Sequence, residues 1–417
     1  MLVGISERVY PMKTTISETI TATTSGKRMA EILRSCVHCG MCNATCPTYQ
    51  LKGDELDGPR GRIYLIKSML EGEEVSAKTQ THLDRCLTCR SCETTCPSGV
   101  QYGQLVELAR PVVDEKIPRK IFDRLRRWLV KNIVPYPGRF HLAVLLGSIF
   151  KPFLPRRLAE SVPTRSILNP IPNGSHARQM VMLEGCAQSV VAPSINQSVQ
   201  MLFDHLSVSV VAADSAGCCG AVNYHLNDVP TARQQARINI DAWWSAIEAG
   251  AESILVASSG CAMMIKEYPA LFADDPAYLP KAERVASLVA DPAEKMSEAA
   301  ATKFTTYSDA KRIAFQVPCT MQHGTHKEKH VKQCLEAAGF NLTNVVDAHL
   351  CCGSAGSYSL LQPALSEQLL DNKLSMLMAE KPEMIVTANI GCYMHLARRS
   401  PVPVKHWLEV LVPRKAQ

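Results

Sequence analysis

Two runs of cysteines carry the most specific chemistry in this chain. Both follow the spacing C-x2-C-x2-C-x3-C-P. The first run contains Cys36, Cys39, Cys42 and Cys46, and the second run contains Cys86, Cys89, Cys92 and Cys96. Three thiolates at this spacing bind one [4Fe–4S] cluster, and the fourth reaches the cluster of the other run. The two runs therefore predict two [4Fe–4S] clusters.

The predicted ligand sets each combine cysteines of both runs. We expect one cluster to be bound by Cys36, Cys39, Cys42 and Cys96, and the other by Cys86, Cys89, Cys92 and Cys46. Zinc sites and a disulfide knot are the alternatives. Zinc sites use two C-x2-C pairs rather than four clustered cysteines, and neighbouring thiols in a cytosolic chain rarely form disulfides. Both alternatives are disfavoured.

The C-terminal half carries a duplicated set of four cysteines. The first set is Cys186, Cys218, Cys219 and Cys261, and the second set is Cys319, Cys351, Cys352 and Cys392. In each set the first cysteine precedes an adjacent pair by 32 residues, and the flanks are similar (GCCGAVNYH and LCCGSAGSY). Eight structural cysteines would not explain this internal duplication. We therefore predict two further metal sites, whereas Cys334 is predicted to be an ordinary buried thiol.

Histidines distinguish the two duplicated sets. His323, His349 and His395 lie close to the second set in the sequence, whereas His225 alone lies close to the first. Cationic or hydrogen-bond-donating groups favour the more negative reduced state of a cluster. We therefore expect both sets to hold clusters and the second set to have the higher reduction potential.

Strands alternate with helices around each duplicated set. The predicted strands are QMVMLE, VSVVAA and SILVAS in the first repeat, and RIAFQV, NVVDA and MIVTAN in the second. Apolar strands alternating with helices indicate a parallel α/β sheet. The key cysteines follow the carboxyl ends of strands, where open α/β sheets build their sites. We therefore expect distant cysteines to converge at the rim of each sheet.

Helices rather than hairpins are predicted around the two cysteine runs. Asp57 as an N-cap, Pro59 in the first turn and Gly72 as a stop predict one helix between the runs. Another helix is expected to begin near Thr81, and a third to follow the second run over residues 101–115. The fold class is therefore α/β, with a small all-helical N-terminal domain that holds both clusters.

Arg60 and Arg62 lie in the first turn of the helix between the runs. Positive charge beside a cluster raises its reduction potential, and exposed arginines also meet acidic partners. The alternative is that both side chains are merely solvated. The sequence leaves these interpretations open.

Residues 116–157 are rich in Lys and Arg, and Asp123 is their only acidic residue. Apolar residues such as Phe122 and Trp128 lie between the charges. A basic amphipathic segment binds a membrane surface, an acidic partner or the next domain, and all three interpretations stay open. Residues 158–177 are predicted to be a linker.

The predicted organisation has five parts. These are a mobile leader (1–28), a helical two-cluster domain (29–115), the basic segment with its linker (116–178), and the two cysteine-rich repeats (179–310 and 311–417).

Composition excludes several classes of protein. The 417 residues are 46% hydrophobic and 20% charged, as in a soluble chain of two or three domains. No apolar run reaches the length of a spanning helix, and the N-terminus lacks the apolar core of a signal peptide. We expect a cytoplasmic protein, with peripheral contact at the inner face of the cytoplasmic membrane as an open alternative. The 17 cysteines then indicate metal binding.

The formal charge of +6 suggests an acidic partner. Two clusters with four thiolates each add about −2 apiece, because bound thiols have lost their protons. The loaded protein is then close to neutral, so we expect no nucleic-acid partner.

Longer stretches of the sequence resemble a known family. The stretches are GDELDGPRGRIYLIK, DRCLTCRSCETTCPSGV, GCCGAVNYHLND, LCCGSAG and KPEMIVTANIGC. Over residues 35–412 the chain resembles the iron–sulfur subunits of glycolate oxidase (glycolate dehydrogenase). The duplicated sets resemble the cysteine-rich CCG domain of heterodisulfide reductases, which ends in C-x-x-C. Met264 and His395 replace the last cysteine here, so four thiols per set remain, enough for an ordinary [4Fe–4S] cluster.

The resemblance implies an electron-transfer subunit of an FAD-dependent 2-hydroxy acid dehydrogenase. FAD is expected only on a partner subunit, since the chain has no G-x-G-x-x-G after a strand and no P-loop. No catalytic residue is therefore expected in this chain, which would pass electrons from the partner flavin toward a quinone or another acceptor. The alternatives are an iron–sulfur subunit of a D-lactate or glycerol-3-phosphate dehydrogenase, a CCG-domain disulfide or quinone reductase, and a cluster-bearing sensor.

Overall fold

The computed structural model describes residues 12–153, 174–297, 299, 303–306 and 309–413. Residues 1–11 of the predicted leader and residues 158–173 of the predicted linker lie outside the described residues. The chain divides into two compact units between Ile121 and Phe122. The two cysteine runs belong to the first unit, and the duplicated sets belong to the second.

The first unit is built from helices. They are α1 (Glu18–Thr21), α2 (Thr24–Ser35), α3 (Pro47–Lys52), α4 (Pro59–Leu70), α5 (Ala77–Asp84), α6 (Ser91–Thr94) and α7 (Tyr102–Lys116), with 3-10 turns at Met41–Asn43 and Glu55–Asp57. Leu33, Ile66 and Leu105 are fully buried in the core that α2, α4 and α7 share. The helix predicted to begin near Thr81 begins at Ala77. The prediction of a helical N-terminal domain is confirmed.

Residues 12–28 differ from the mobile leader that the sequence predicted. Met12, Ile16 and Ile20 pack against the core of the first unit. Gly26 permits this packing, because a Cβ at this position would collide with the carbonyl oxygen of Ile20. Apolar residues four apart therefore hold this segment on the helical domain.

Asp57 does not cap the helix between the runs, although the sequence predicted it to. The N-cap of α4 is Gly58, and Asp57 is fully buried. Its carboxylate instead contacts His82 (Nδ1 to Oδ1, 2.8 Å) and accepts from Arg85 (Nη1 to Oδ2, 2.8 Å). Asp57 therefore belongs to a buried polar network beneath the helix.

The second unit contains two parallel four-stranded sheets, one in each repeat. The first sheet has the order β2-β1-β3-β4, from β1 (Arg178–Met182), β2 (Val208–Ala212), β3 (Ile254–Leu255) and β4 (Val289–Ala290). The second has the order β7-β6-β8-β9, from β6 (Arg312–Gln316), β7 (Asn341–Leu342), β8 (Met384–Thr387) and β9 (Val404–His406). An antiparallel pair joins β5 (Phe304–Thr306) to β10 (Leu411–Pro413). The predicted α/β fold class and its duplication are confirmed.

One strand prediction is wrong, and five short strands of the described residues were not predicted. The segment NVVDA, residues 344–348, forms no strand, because pairing with β6 already ends at Leu342. Asp347 then has a φ of 48°, which is incompatible with an extended backbone. The strands that were not predicted are β4, β5, β7, β9 and β10, since two or three residues give no readable periodicity.

Helices cover both sheets of the second unit. They are α8 (Ile121–Ile133), α9 (Pro137–Ile149), α10 (Gln188–Val191), α11 (Pro193–His205), α12 (Ala221–His225), α13 (Val229–Glu248), α14 (Ser259–Lys266), α15 (Tyr268–Leu271), α16 (Leu279–Leu288), α17 (Pro292–Met296), α18 (Glu328–Ala337), α19 (Tyr358–Leu361), α20 (Pro363–Met378) and α21 (Ile390–Ala397). The two repeats share one hydrophobic core, to which the first contributes Phe203 and the second Phe315 and Trp407. Cys334 is fully buried in this core, as predicted.

The basic segment forms α8 and α9 in the second unit. Phe140 of α9 packs against the shared core, and Lys131 of α8 pairs with Asp228 (Nζ to Oδ2, 3.1 Å). Part of the basic segment is therefore docked on the second unit, whereas Phe122 and Trp128 remain exposed. Within the described residues, no helix combines the length and the apolar character needed to cross a membrane.

Candidate iron–sulfur sites

The two cysteine runs have the same backbone geometry. His38 and Thr88, between the first two cysteines of each run, have left-handed φ values of 57° and 51°. Gly40 and Arg90, directly after the second cysteine, have φ values of 85° and 62°. Each run therefore curls so that its first three thiols face one cavity.

Cysteines from both runs line one pocket. They are Cys36, Cys39, Cys42 and Cys96, with Cys92 at its border. The pKa of Cys42 is raised to about 12, first by burial and then by the thiols of Cys36, Cys39 and Cys96. The structure thus brings Cys96 to the first three cysteines of the other run, as the sequence predicted.

The remaining four cysteines line a second pocket. They are Cys46, Cys86, Cys89 and Cys92. Cys92 borders both cavities, but its pKa is raised by burial and then by Cys89, Cys86 and Cys46. Cys92 therefore lies among the thiols of Cys46, Cys86 and Cys89.

Two threonines join the runs beside their fourth cysteines. Thr45 and Thr95 each directly precede the fourth cysteine of a run. The hydroxyl of Thr45 donates to the carbonyl oxygen of Ser91 (3.2 Å), and the hydroxyl of Thr95 donates to Oγ1 of Thr45 (3.2 Å). These bonds position Cys46 and Cys96 opposite the run that each is expected to complete.

Arg62 places a buried positive charge beside the second cavity. Its side chain is 1% exposed, and Nη1 lies 4.0 Å from Sγ of Cys46. Nε donates to the carbonyl oxygen of His82 (2.7 Å), and Nη2 donates to Oγ1 of Thr48 (3.0 Å). Burial lowers the pKa of Arg62, but nearby thiols and the Asp57 carboxylate outweigh burial and raise it.

The interpretation of both first-turn arginines as solvated is wrong for Arg62. Arg60 differs, since its side chain is 34% exposed and pairs with Glu55 (Nε to Oε1, 2.6 Å). Only one of the two arginines is therefore fixed and desolvated beside a cluster site.

The donor sets of the first unit fit iron–sulfur clusters. Burial raises the pKa of Cys36, Cys42 and Cys92, so bare thiolates would be unfavourable in these cavities. A bound metal supplies the positive charge that holds thiols deprotonated. Sets composed of sulfur alone select zinc or iron–sulfur centres, and the C-x2-C-x2-C-x3-C-P spacing selects [4Fe–4S].

The first duplicated set converges at the rim of its sheet. Cys186 follows β1, and Cys261 lies in α14 after β3. Cys218 hydrogen-bonds Cys186 and Cys219, which raises the pKa of Cys218. Cys261 in turn hydrogen-bonds Cys219, and this contact raises the pKa of Cys261. All four predicted members therefore form one continuous group of thiols.

The second duplicated set repeats the same order of contacts. Cys319 follows β6, and its pKa is raised by a hydrogen bond to Cys351 and then by burial. Cys351 also hydrogen-bonds Cys352, whose Sγ lies 3.4 Å from Sγ of Cys392. The duplicated spacing thus corresponds to a duplicated arrangement of thiols, which fits an iron–sulfur cluster by the same donor chemistry.

All four candidate sites share one backbone contact. A backbone N–H two residues after a cysteine donates to the cysteine Sγ across 3.4 Å. The pairs are His38 to Cys36, Thr88 to Cys86, Gly220 to Cys218 and Gly353 to Cys351. Such bonds favour the negatively charged sulfur and tune a cluster.

A buried lysine beside the second duplicated set was missed by the sequence analysis. Lys373 is 1% exposed and lies on α20. Its Nζ donates to the carbonyl oxygen of Ala348 (2.9 Å). Burial lowers its pKa, and the four thiols of the second set oppose this effect. The available signal was a lysine at a buried position of a helix, next to Leu370 and Leu374.

Positive charge was one of the two effects expected of the histidines near the second set, and burial disfavours it for His395 and His323. His395 is buried against Ser366 (Nε2 to Oγ, 3.1 Å), and its pKa is lowered to about 4 by burial and by Arg398. Burial also lowers the pKa of His323, whose Nε2 donates to the carbonyl oxygen of His349 (3.2 Å). The lowered pKa values favour the neutral form of both rings, whereas Lys373 places a buried basic side chain beside this set.

A hydrogen-bonded bridge joins the loops of the two duplicated sets. Ser259, two residues before Cys261, contacts Thr320 (Oγ to Oγ1, 2.8 Å) and accepts from Asn389 (Nδ2 to Oγ, 3.2 Å). Thr320 directly follows Cys319. The bridge therefore links the segments that carry Cys261 and Cys319 across the boundary between the repeats.

Comparison with known protein families agrees with this division. A model of the 4Fe-4S dicluster domain matches residues 32–100, which contain both cysteine runs. A model of the cysteine-rich CCG domain matches twice, at residues 180–266 and 313–397. The two CCG matches contain all eight cysteines of the duplicated sets.

Similar proteins extend the resemblance to the whole chain. The glycolate oxidase iron-sulfur subunit of Escherichia coli K12 is 49% identical over 96% of this chain and 98% of that protein. A probable glycolate oxidase iron-sulfur subunit of Bacillus subtilis 168 is 27% identical over 87% of this chain and 88% of that protein. Lactate utilization protein A of Exiguobacterium is 26% identical over 54% of this chain and 94% of that protein. The chain belongs to the family of glycolate oxidase iron–sulfur subunits.

Proposed function

We propose that this chain is the electron-transfer subunit of a glycolate-oxidising enzyme. It passes electrons from a flavin on a partner subunit toward a quinone or another acceptor. The observation that carries the proposal is the convergence of sixteen cysteines into four groups of four, two in each unit. The 49% identity to the Escherichia coli subunit supports glycolate as the substrate class.

In the first unit we assign the ligand sets that combine both runs. Cys36, Cys39, Cys42 and Cys96 would hold one [4Fe–4S] cluster, and Cys86, Cys89, Cys92 and Cys46 the other. When bound, each cluster supplies one-electron transfer. The protein's own part is to keep both sites close together, to exclude water and to set the local charge. Arg62 and the backbone N–H groups of His38 and Thr88 serve the last of these roles.

In the second unit we assign one further cluster to each duplicated set. The equal order of thiol contacts in the two repeats supports equal occupancy. Met264 and His395 stand where heterodisulfide reductases have a fifth thiol, and both are buried. Four sulfur donors suit an ordinary cluster in electron transfer, so disulfide reduction is the weaker hypothesis.

The flavin belongs on a partner in this proposal. The sequence offers no dinucleotide-binding fingerprint, and removal of two electrons from a 2-hydroxy acid is chemistry that flavins supply. A subunit of thiol-bound clusters then complements a flavoprotein, because it accepts electrons one at a time.

Membrane contact is the use that we propose for the exposed face of α8. Phe122, Leu125 and Trp128 are each more than half exposed, and Arg124 and Arg126 are exposed between them. An apolar face flanked by arginines suits the interface of an anionic bilayer. Such contact would bring the subunit to a membrane quinone.

A lactate-oxidising complex is the second candidate. Proteins named lactate utilization protein A match about half of this chain at 24–26% identity. Lactate is also a 2-hydroxy acid, so the same relay would serve it. The much higher identity over nearly the whole chain favours glycolate.

Purification of the native complex, and of this chain alone, tests the proposal. The isolated chain should contain iron and sulfide but no FAD or FMN, whereas the complex should contain flavin and reduce an acceptor with glycolate. Stoichiometric flavin retained by the isolated chain would overturn the division of labour. Reduction of the acceptor with D-lactate but not with glycolate would favour the second candidate.

A further inference from the structure

The two duplicated sets have the same architecture but different neighbours. In each repeat the glycine after the paired cysteines packs against the following helix, Gly220 against Ala232 of α13 and Gly353 against Ser366 of α20. Seven residues beyond these contacts, about two turns along each helix, stands a fully buried polar residue. The two helices therefore present one equivalent position to each set of thiols.

This position is Asn239 in the first repeat and Lys373 in the second. Nδ2 of Asn239 donates to the carbonyl oxygen of Cys218 (2.9 Å) and to the hydroxyl oxygen of Tyr268 (3.1 Å). Nζ of Lys373 donates to the carbonyl oxygen of Ala348 (2.9 Å). Both side chains bind backbone beside a cysteine pair, but only one of them carries a charge.

Among the described residues, the ionisable neighbours that favour the ammonium form of Lys373 are thiols rather than carboxylates. They are Cys352, Cys351, Cys392 and Cys319, which a bound metal would hold deprotonated. The neighbouring Arg398 is already bound by Glu367 (Nη2 to Oε1, 2.8 Å), so its charge is compensated. Burial of an ammonium is costly unless an anion lies beside it. The negative charge that pairs with Lys373 is therefore that of the second set itself.

We propose that Lys373 is the counter-ion of the second duplicated set and makes this set the electron acceptor of the second unit. The inference rests on the proposed function, in which both sets hold clusters. When both sets hold clusters, one electron would pass from the cluster of the first set to the cluster of the second, and no atom would be transferred. The second site would then gain one negative charge beside Lys373, whereas the first site has the neutral Asn239. The bridge through Ser259 and Thr320 connects the two sites.

The test is a redox titration of the complex followed by electron paramagnetic resonance. Lys373→Met keeps the length of the side chain and removes the charge, and Lys332→Met removes an exposed lysine of the same repeat as a matched control. The signals that Cys392→Ser and Cys261→Ser abolish identify the second and first sets. The clusters of the two cysteine runs, which lie in the other unit, serve as an internal standard.

We expect Lys373→Met to lower the reduced-to-oxidised ratio of the second set at a fixed potential by about tenfold, which is about 59 mV for one electron. Lys332→Met should leave it unchanged, and Lys373→Arg, which keeps the charge, should stay near the wild type. The wild type itself should show the second set titrating above the first. The comparison of the two midpoints in the wild type does not require the Lys373 variants to fold.

Three results would overturn the inference, and iron analysis separates the first two from the third. About sixteen irons per chain with an unchanged midpoint in Lys373→Met, or with equal midpoints for the two sets in the wild type, would overturn the role of Lys373 alone. About eight irons per chain, all lost when the two cysteine runs are replaced, would show that the duplicated sets hold no clusters. That result would overturn this part of the proposed function as well.

Discussion

The hydroxyl of Thr95 donates a hydrogen bond to the hydroxyl of Thr45 across 3.2 Å. Each threonine precedes the last cysteine of its run, so this contact lies where we propose that the two runs exchange ligands. It explains why Cys96 lines the cavity of Cys36, Cys39 and Cys42. An exchange of ligands makes each cluster depend on both runs.

Replacement of Cys96 should therefore damage the cluster of the first run. We expect Cys96→Ser to perturb the signal that Cys39→Ser perturbs, and Cys46→Ser to perturb the signal that Cys89→Ser perturbs. Cys334→Ser, which changes a buried thiol outside every site, should change neither. Electron paramagnetic resonance spectra in which Cys96→Ser perturbs the same signal as Cys89→Ser would contradict the exchange.

Arg62 should raise the reduction potential of the cluster that we assign to Cys86, Cys89, Cys92 and Cys46. Arg62→Met removes a buried charge 4.0 Å from Cys46, so the midpoint should fall by about 59 mV, a tenfold change for one electron. Arg62→Lys should lower it less, because the charge remains. Arg60→Gln changes a half-exposed pair with Glu55, and screening by solvent should leave both midpoints nearly unchanged. Equal shifts in Arg60→Gln and Arg62→Met would contradict a specific role for burial.

His406 should make the second unit less stable in mild acid. Burial lowers its pKa to about 3, and its Nε2 donates to the carbonyl oxygen of Ala257 (3.0 Å). Below the unfolded pKa of about 6.5 the unfolded chain binds a proton that the folded chain rejects. Stability is therefore lost as the pH falls, by about 2 kcal/mol between pH 6.5 and pH 5.

Chemical denaturation of the wild type and of His406→Gln between pH 7 and pH 5 measures this effect. The variant cannot be protonated, so its stability should fall less across the same interval. Parallel curves for the two proteins would show that His406 does not carry the dependence on pH.

Arg124 and Arg126 should strengthen binding to anionic vesicles. Each basic residue near such a surface contributes about 1 kcal/mol, so the double change to Gln should weaken binding of the complex roughly thirtyfold. Lys329 and Lys332 are exposed on α18, and the same double change there serves as the control. Equal losses in both variants, or no binding by the wild type, would leave α8 as a site for a protein partner.

Features that depend on short stretches of the chain or on repeated spacings could be predicted from the sequence. Four thiols within a short run can be recognised without a fold, and equal spacing in two repeats identifies a duplication. The proposed exchange of Cys46 and Cys96 is predicted from the same spacing, in which the fourth cysteine binds the cluster of the other run. The parallel sheets were predictable from apolar strands separated by helices.

The contributions of Arg62, Lys373 and the histidines required the structure. Whether a charged residue on a helix faces solvent or a buried site depends on tertiary packing, which single-residue patterns do not reveal. Lys373 lies among leucines of α20, yet Lys is a common surface residue and attracts no notice in the sequence. The segment NVVDA was misassigned because β propensity is overridden where no partner strand continues.

Reduction of this chain by substrate tests the electron-transfer account most directly. The anaerobic complex is mixed with glycolate, frozen within a single turnover and examined by electron paramagnetic resonance and flavin absorbance. The account predicts that signals abolished by Cys39→Ser and Cys89→Ser appear in the wild type and vanish when the acceptor is added. Bleaching of the flavin and steady transfer to the acceptor, while those clusters remain oxidised, would contradict it.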